Sequence, residues 1–258
     1  MKPFLLLATR AEDEAADGEY AAFLEGAELD TSDLVRVRLE AGPLPEIRLD
    51  DFSGVIVGGS PFNASDDDAV KSDVQRRVEG ELAALLDRVI EHDYPFLGAC
   101  YGIGLLGTHL GGVVDRTYTE PIGPVRVRLT TGGAADPLFV GMDPEFDAFV
   151  GHKEACSVLP SGAVLLASSA TCPVQAFRVG ENVYATQFHP ELTVDGILTR
   201  IRVYRGYGYF AEDEMDALVA SVRAARVTQP ARLLRAFVAR YAADADGKPR
   251  RPEVMPPR

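Results

Sequence analysis

The chain has 258 residues, 47% of them hydrophobic, with a formal net charge of −13 and a pI near 4.8. That size suits one large α/β domain, and the acidity argues against nucleic acid or an anionic membrane as the main partner. Three cysteines, an odd number, argue against a disulfide framework and for a reducing, cytoplasmic setting.

The first apolar run, Phe4–Ala8, is shorter than the roughly 7–15 apolar residues of a secretory signal and reads as a buried strand. No segment approaches the roughly 20 apolar residues that span a bilayer. Leu34–Leu39, Gly54–Val57 and Pro95–Ala99 read as the next strands, with a crossover helix in Ala11–Gly26. After Gly58-Gly59-Ser60-Pro61, a polar loop over Asn63–Asp68 offers aspartates as helix caps. Val70, Val74, Val78, Leu82, Leu85 and Val89 then repeat at helical spacing and stop before Pro95.

From Gly111 the pattern becomes β-rich. Strands are expected at Gly112–Arg116, Pro124–Leu129, Phe146–Val150 and Ala163–Ser168, and a hairpin turning at Gly180-Glu181-Asn182 joins Val174–Val179 to Val183–Gln187. A helical region closes the chain. Leu233, Leu234, Phe237, Val238 and Tyr241 form its apolar stripe, Thr228 is the expected cap and Pro230 falls in the first turn. The fold class expected is an open, mostly parallel central sheet flanked by helices, with a β-rich second half. One domain is expected over 1–243 (core 1–200, helical region 201–243), followed by a loose Pro-rich tail over 244–258.

The stretch around Cys100 carries chemistry. A buried strand runs straight into the cysteine, a helix begins at once with Ile103, Leu105 and Leu106, and Gly98 and Gly102 flank it. A sharp strand-to-helix corner strains its corner residue and needs small neighbours. It also holds the thiol over a helix N-terminus, where the thiolate is favoured. Cys156 and Cys172 have no such setting. Far downstream, Gln187-Phe188-His189-Pro190-Glu191 closes the hairpin. An imidazole can take a thiol proton and return it to a leaving amine, and a carboxylate behind it fixes its tautomer.

The sequence G-A-C-Y-G with its flanks, together with Q-F-H-P-E, resembles class I glutamine amidotransferases. The likeness is to the amidotransferase part of guanosine-monophosphate synthase and its free-standing relatives, and it extends over most of residues 50–195. The resemblance implies a flavodoxin-like sheet and a triad of Cys100, His189 and Glu191. It assigns an oxyanion hole to the backbone amides of Gly59 and Tyr101. The implied reaction is hydrolysis of a side-chain amide through a Cys100 γ-glutamyl thioester, releasing ammonia, with no metal and no cofactor.

Many relatives carry Gln four residues after the cysteine, where it holds the substrate's amino-acid end; here that position is Gly104. No Gly-rich phosphate loop with Lys is present, so a synthetase that uses the ammonia must be a separate chain. A hydrolase of other γ-glutamyl amides and a non-catalytic binding protein of the same fold are the alternatives. His152, in Gly151-His152-Lys153-Glu154, is a candidate binding residue, whereas His92, His109, Asp66–Asp68 and the Arg205–Tyr209 turn read as structural.

Overall fold

The computed structural model describes residues 1–244; the expected tail over 244–258 lies, past its first residue, outside the described residues. Strands β1 (Phe4–Ala8) and β2 (Leu34–Arg38) are joined through helix α1 (Asp13–Ala27), and β3 (Gly54–Val57) leads by way of α2 (Asp73–Glu91) to β4 (Phe96–Ala99). These strands are expected from sequence almost to the residue. Helix α2 begins later than its periodicity predicts. Ser72 is its cap, accepting from the Gln75 amide at 3.1 Å, while Val70 lies outside the helix and is 75% exposed. The aspartates of the preceding loop are therefore not the cap: a side chain must stand one residue before the helix to reach its free amides.

Helix α3 (Tyr101–His109) follows β4 directly. Then come β5 (Val113–Asp115), β6 (Glu120–Leu129), a short α4 (Thr131–Ala135), β7 (Glu145–His152), β8 (Ala155–Val158), β9 (Val164–Ser169), β10 (Ala176–Val179) and β11 (Val183–Thr186). Strand β8 is absent from the sequence expectation. It pairs with β5 in a separate two-stranded sheet, and its burial runs from the adjacent Ala155 and Cys156 to an exposed Val158 instead of alternating. Helices α5 (Val194–Val203), α6 (Met215–Ala224) and α7 (Pro230–Tyr241) complete the described chain. Pro230 stands in the first turn of α7 as expected, but the residue before it is Gln229, which displaces Thr228 from the cap position.

The main sheet has nine strands in the order β2-β1-β3-β4-β11-β10-β9-β6-β7. Strands β2, β1, β3, β4 and β11 are mutually parallel, and the rest pair antiparallel. Alternate side chains of β1 serve opposite faces. Phe4 and Leu6 pack with Phe23, Leu233 and Phe237 from α1 and α7, and Leu5 and Leu7 pack with Val78 and Leu82 from α2. Burial on both faces explains why the parallel strands read as unbroken apolar runs.

The topology matters most at one end. Strand β4 lies between β3 and β11, with Val57 opposite Gly98 and Thr186 opposite Ala99. Three motifs far apart in sequence therefore leave adjacent parallel strands at the same edge, where open α/β sheets bind ligands.

Phe237 is fully buried, with its ring centroid 5.8 Å from that of Phe4. Phe237→Ala should therefore destabilise the fold by about 3–5 kcal/mol, measured by denaturant unfolding; a loss below about 1 kcal/mol would mean that α7 is not integral to the core.

Candidate active site

Cys100 occupies the corner between β4 and α3 with φ 53° and ψ −89°, a left-handed backbone that side chains other than glycine rarely adopt. Its amide donates to Thr186 O at 2.8 Å, which ties the corner to the end of β11. Gly98 is required by contact: a β-carbon there would lie 2.8 Å from the backbone carbon of Gly102. The thiol is 9% exposed and stands 4.0 Å from Gly151 O.

His189 follows β11, and its amide donates to Phe149 O at 2.9 Å. Its Nδ1 lies 2.9 Å from Glu191 Oε1. A carboxylate only accepts, so Nδ1 carries the proton and Nε2 is left as the basic nitrogen. Cys100 and His189 line the same pocket, together with Arg10, Ser60, Arg200 and Tyr209.

The pocket contains charges that the sequence does not announce. Arg200, from α5, places one nitrogen 3.0 Å from His189 Nδ1 and 3.3 Å from Nε2. No in-plane hydrogen bond can serve both ring nitrogens at those lengths, so the guanidinium lies over the imidazole face. Its other amine donates to Glu191 Oε1 at 2.8 Å and Glu19 Oε1 at 3.1 Å. Arg10, at the end of β1, donates from Nε to Glu19 at 2.9 Å and from Nη1 to the Tyr204 hydroxyl at 2.9 Å. The backbone amide of Gly59 also donates to Glu19 Oε1, at 3.3 Å. Gly59, the expected oxyanion donor, thus has its hydrogen committed to a carboxylate in this state. Tyr101 opens α3, so its amide belongs to the first turn, which has no intrahelical acceptor.

These neighbours set the protonation states. Burial holds His189 below its ordinary value of 6.5, assisted by Arg200 and Arg10 and opposed by Glu191. Burial alone would raise Glu191, but His189 and Arg200 hold its carboxyl well below the usual range. The Cys100 thiol is pushed by burial up to about 12, with Arg10 and Arg200 pulling the other way. This departs from the thiolate expected at a helix N-terminus, because burial favours the neutral thiol. Cys156 and Cys172 are also raised by burial, to about 11 and about 12. What distinguishes Cys100 is its strained corner and its shared pocket with an imidazole.

Gly104 is not a simple vacancy. A β-carbon there would lie 2.7 Å from Glu154 Oε1, so the carboxylate of Glu154 fills the space a longer side chain would use. The Arg205–Tyr209 turn is a turn, with Gly206 and Gly208 at φ 84° and 80°, yet it also carries Tyr209 into the pocket of Cys100. His92 is exposed and His109 pairs with Asp87 at 3.1 Å.

A second group of the same three residue types lies apart from this pocket's thiol. Glu120, His152 and Cys172 are buried, with donor atoms within 4.8 Å of one another, and they are the candidate metal ligands among the described residues. His152 Nε2 faces Glu120 Oε2 at 2.8 Å and Nδ1 faces Glu154 O at 2.8 Å. Both ring nitrogens thus meet acceptors, and neither is placed to take a thiol proton. Cys172 donates to Val174 O at 3.5 Å, and Ser169, Thr171 and Gln175 also donate to Glu120. Three donors already engaged fit a hydrogen-bonded brace better than a zinc site, which needs a bare thiolate and usually a fourth ligand.

Burial, with the Arg200 contact added to it, predicts that His189 titrates below 6.5, and Arg200→Met should move its midpoint upward by removing a like charge from the imidazolium. Resonances of the Cε1 proton, assigned with His189→Gln, measure both. A midpoint at or above 6.5 in the unaltered chain, or no upward shift in the variant, would contradict the geometry.

Comparison with known proteins identifies the family and the fold. The profile of glutamine amidotransferase class-I matches residues 28–196, well over half of the chain. The glutamine-hydrolysing GMP synthase of Streptomyces avermitilis is 32% identical over 152 residues, covering 58% of this chain and 26% of that protein. One subunit of the glutamine-hydrolysing GMP synthase of Methanobrevibacter smithii is 30% identical over 151 residues, covering 58% of this chain and 69% of that one. The chain therefore spans about a quarter of the first relative's length. A glutamine amidotransferase structure from Thermotoga maritima superposes with a TM-score of 0.75 at 20% identity, covering 95% of this chain and 100% of that one, which shows the shared fold. The α/β fold, with its parallel first half and antiparallel second half, is that of this family, and the chain belongs to the class I glutamine amidotransferases.

Proposed function

We propose that the chain is a thiol-dependent amide hydrolase that cleaves the side-chain amide of glutamine, with Cys100 as nucleophile, His189 as acid and base, and Glu191 as the group that orients His189. One observation carries this reading: Cys100 stands in strained backbone at a strand-to-helix corner, in one pocket with an imidazole whose far nitrogen is held by a buried carboxylate. The brace of Glu120, His152 and Cys172 has the same residue types but no nitrogen available to serve as base.

In the proposed cycle Cys100 Sγ attacks the amide carbon as His189 Nε2 takes the thiol proton. The thiol is protonated at rest, so proton transfer accompanies attack. The tetrahedral oxyanion is received by the Tyr101 amide, and Gly59 joins only when Glu19 releases its hydrogen. His189 returns the proton to the leaving nitrogen and ammonia departs, leaving a γ-glutamyl thioester. Water, deprotonated by His189, attacks that thioester; the carbon–sulfur bond breaks, glutamate forms and the thiol is restored.

The Methanobrevibacter relative is by name one subunit of a GMP synthase, which supports a separate synthetase chain as the consumer of ammonia. Three buried free cysteines support a reducing, cytoplasmic setting, and among the described residues no helix is long and apolar enough to cross a membrane. A second reading, hydrolysis of another γ-glutamyl amide, is favoured by the altered pocket wall at Gly104 and Glu154.

A glutamine-like electrophile should alkylate Cys100 and leave Cys156 and Cys172 untouched near neutral pH. Cys100→Ser should abolish both labelling and ammonia release, and His189→Gln should slow release by roughly 10²–10⁴-fold. Peptide mapping and an ammonia assay read these outcomes. Equal labelling of Cys156 or Cys172, or normal release without His189, would remove the assignment.

A further inference from the structure

The space around Cys100 is divided into two small cavities and one large one. The lobe that the thiol shares with His189, Arg10 and Arg200 has about 20 Å³ of free volume. The lobe on its other side, against Tyr101, Glu154 and Gln187, has about 10 Å³. A void of that size holds about one water, so neither lobe as it stands admits the side chain of an amide substrate. An open basin of about 380 Å³ adjoins them, lined by Arg116, Glu120 and Gly208. His152, Lys153 and Tyr209 border both the basin and the smaller lobe, and so form the partition between them.

The three members of that partition are not equally fixed. His152 is held on both ring nitrogens, by Glu120 and by the Glu154 carbonyl. Tyr209 stands on the turn after α5, directly behind Gly208, and both Gly206 and Gly208 have the left-handed backbone that glycine adopts without strain. Residues 205–208 are exposed, whereas Tyr209 turns inward and lines all three cavities. Lys153 ties the turn to the wall: its amine donates to Tyr207 O at 2.6 Å and lies 4.5 Å from the centroid of the Tyr209 ring. On its other side the turn is tethered by the Tyr207 hydroxyl, which donates to Glu12 at 2.8 Å. The turn lies beyond the family-matched residues 28–196. We propose that Tyr209 is a gate between the basin and the thiol, latched shut by Lys153, and that the substrate enters through the basin when the turn swings about its glycines. Small residues of this kind absorb the backbone change of a moving lid. The gate rests on the hydrolase reading only in making Cys100 the atom that a substrate must reach.

Access to Cys100 tests the gate without any turnover. Lys153→Met removes the amine and keeps an apolar stem, and Tyr209→Ala removes the ring. Each should raise the rate at which N-ethylmaleimide alkylates Cys100 by at least about tenfold, the population shift expected when the closed state loses one charge-assisted hydrogen bond or the ring it holds. Peptide mapping follows Cys156 and Cys172 in the same samples, and their rates should stay as in the unaltered chain. Losing a cation beside the thiol would by charge alone disfavour the thiolate and slow alkylation, so a faster reaction in Lys153→Met reports access and not reactivity. Unchanged or slower labelling of Cys100 in either variant, or a rise shared by Cys156 and Cys172, would overturn the proposal. Should Tyr209→Ala lose its cooperative melt, Lys153→Met decides, because it leaves the ring and its packing in place. The hydrolase reading fails separately, if Cys100 becomes accessible in these variants as expected but the unaltered chain releases no ammonia from glutamine or another γ-glutamyl amide.

Discussion

The parallel contact of β3, β4 and β11 is the constraint from which the site follows. Their registers bring the Gly58-Gly59 loop, Cys100 and His189 to one edge, although the chain travels through six other strands between the cysteine and the histidine. The hydrogen bond from Cys100 N to Thr186 O then fixes the corner to the strand that delivers the imidazole. Without that parallel pairing no local feature of the cysteine would place a base near it. The close approach of Gly98 and Gly102 makes the corner possible, and the corner in turn lifts the thiol out of the strand into the pocket.

Around this frame the molecule has assembled a buried network of four charges. Glu19 Oε1 accepts from Arg10, Arg200 and the Gly59 amide, and Glu191 is shared by His189 and Arg200. Removing one member of such a network leaves its partners desolvated and unpaired, at a cost of about 3–5 kcal/mol for a buried pair. The same charges bias chemistry. A cation over the imidazole disfavours the imidazolium and Glu191 opposes it, so the neutral ring is favoured while Glu191 holds its orientation.

Sequence reveals the parts of this protein whose physics is local. Phe4–Ala8 is a run buried on both faces, Gly-x-Cys-x-Gly is a corner that needs small neighbours, and His189 and Glu191 are two residues apart. The remaining parts depend on contacts across the fold. Arg10, Glu19 and Arg200 come from a strand end and two helices, and nothing in their neighbourhoods in sequence distinguishes them from surface charges. Glu154 reads as a loop acid until the structure places it against Gly104. Strand β8 eludes periodicity because its buried residues, Ala155 and Cys156, are adjacent and do not alternate with exposed ones. Tyr209 is visible as a turn residue, but which way a turn faces is decided by tertiary packing.

The Glu120 carboxylate has a consequence that reaches beyond its own strand. It gathers donors from His152 at the end of β7, Ser169 at the end of β9, Thr171 in the following turn and Gln175 just before β10. His152 in turn holds the Glu154 carbonyl, so the backbone of the segment that supplies Gly151 and Glu154 is anchored through the antiparallel half of the sheet. The wall of the cavity at Glu154 is therefore braced by residues, Ser169 and Gln175, that do not line that cavity. A mutational screen confined to the cavity wall would pass over both of these residues.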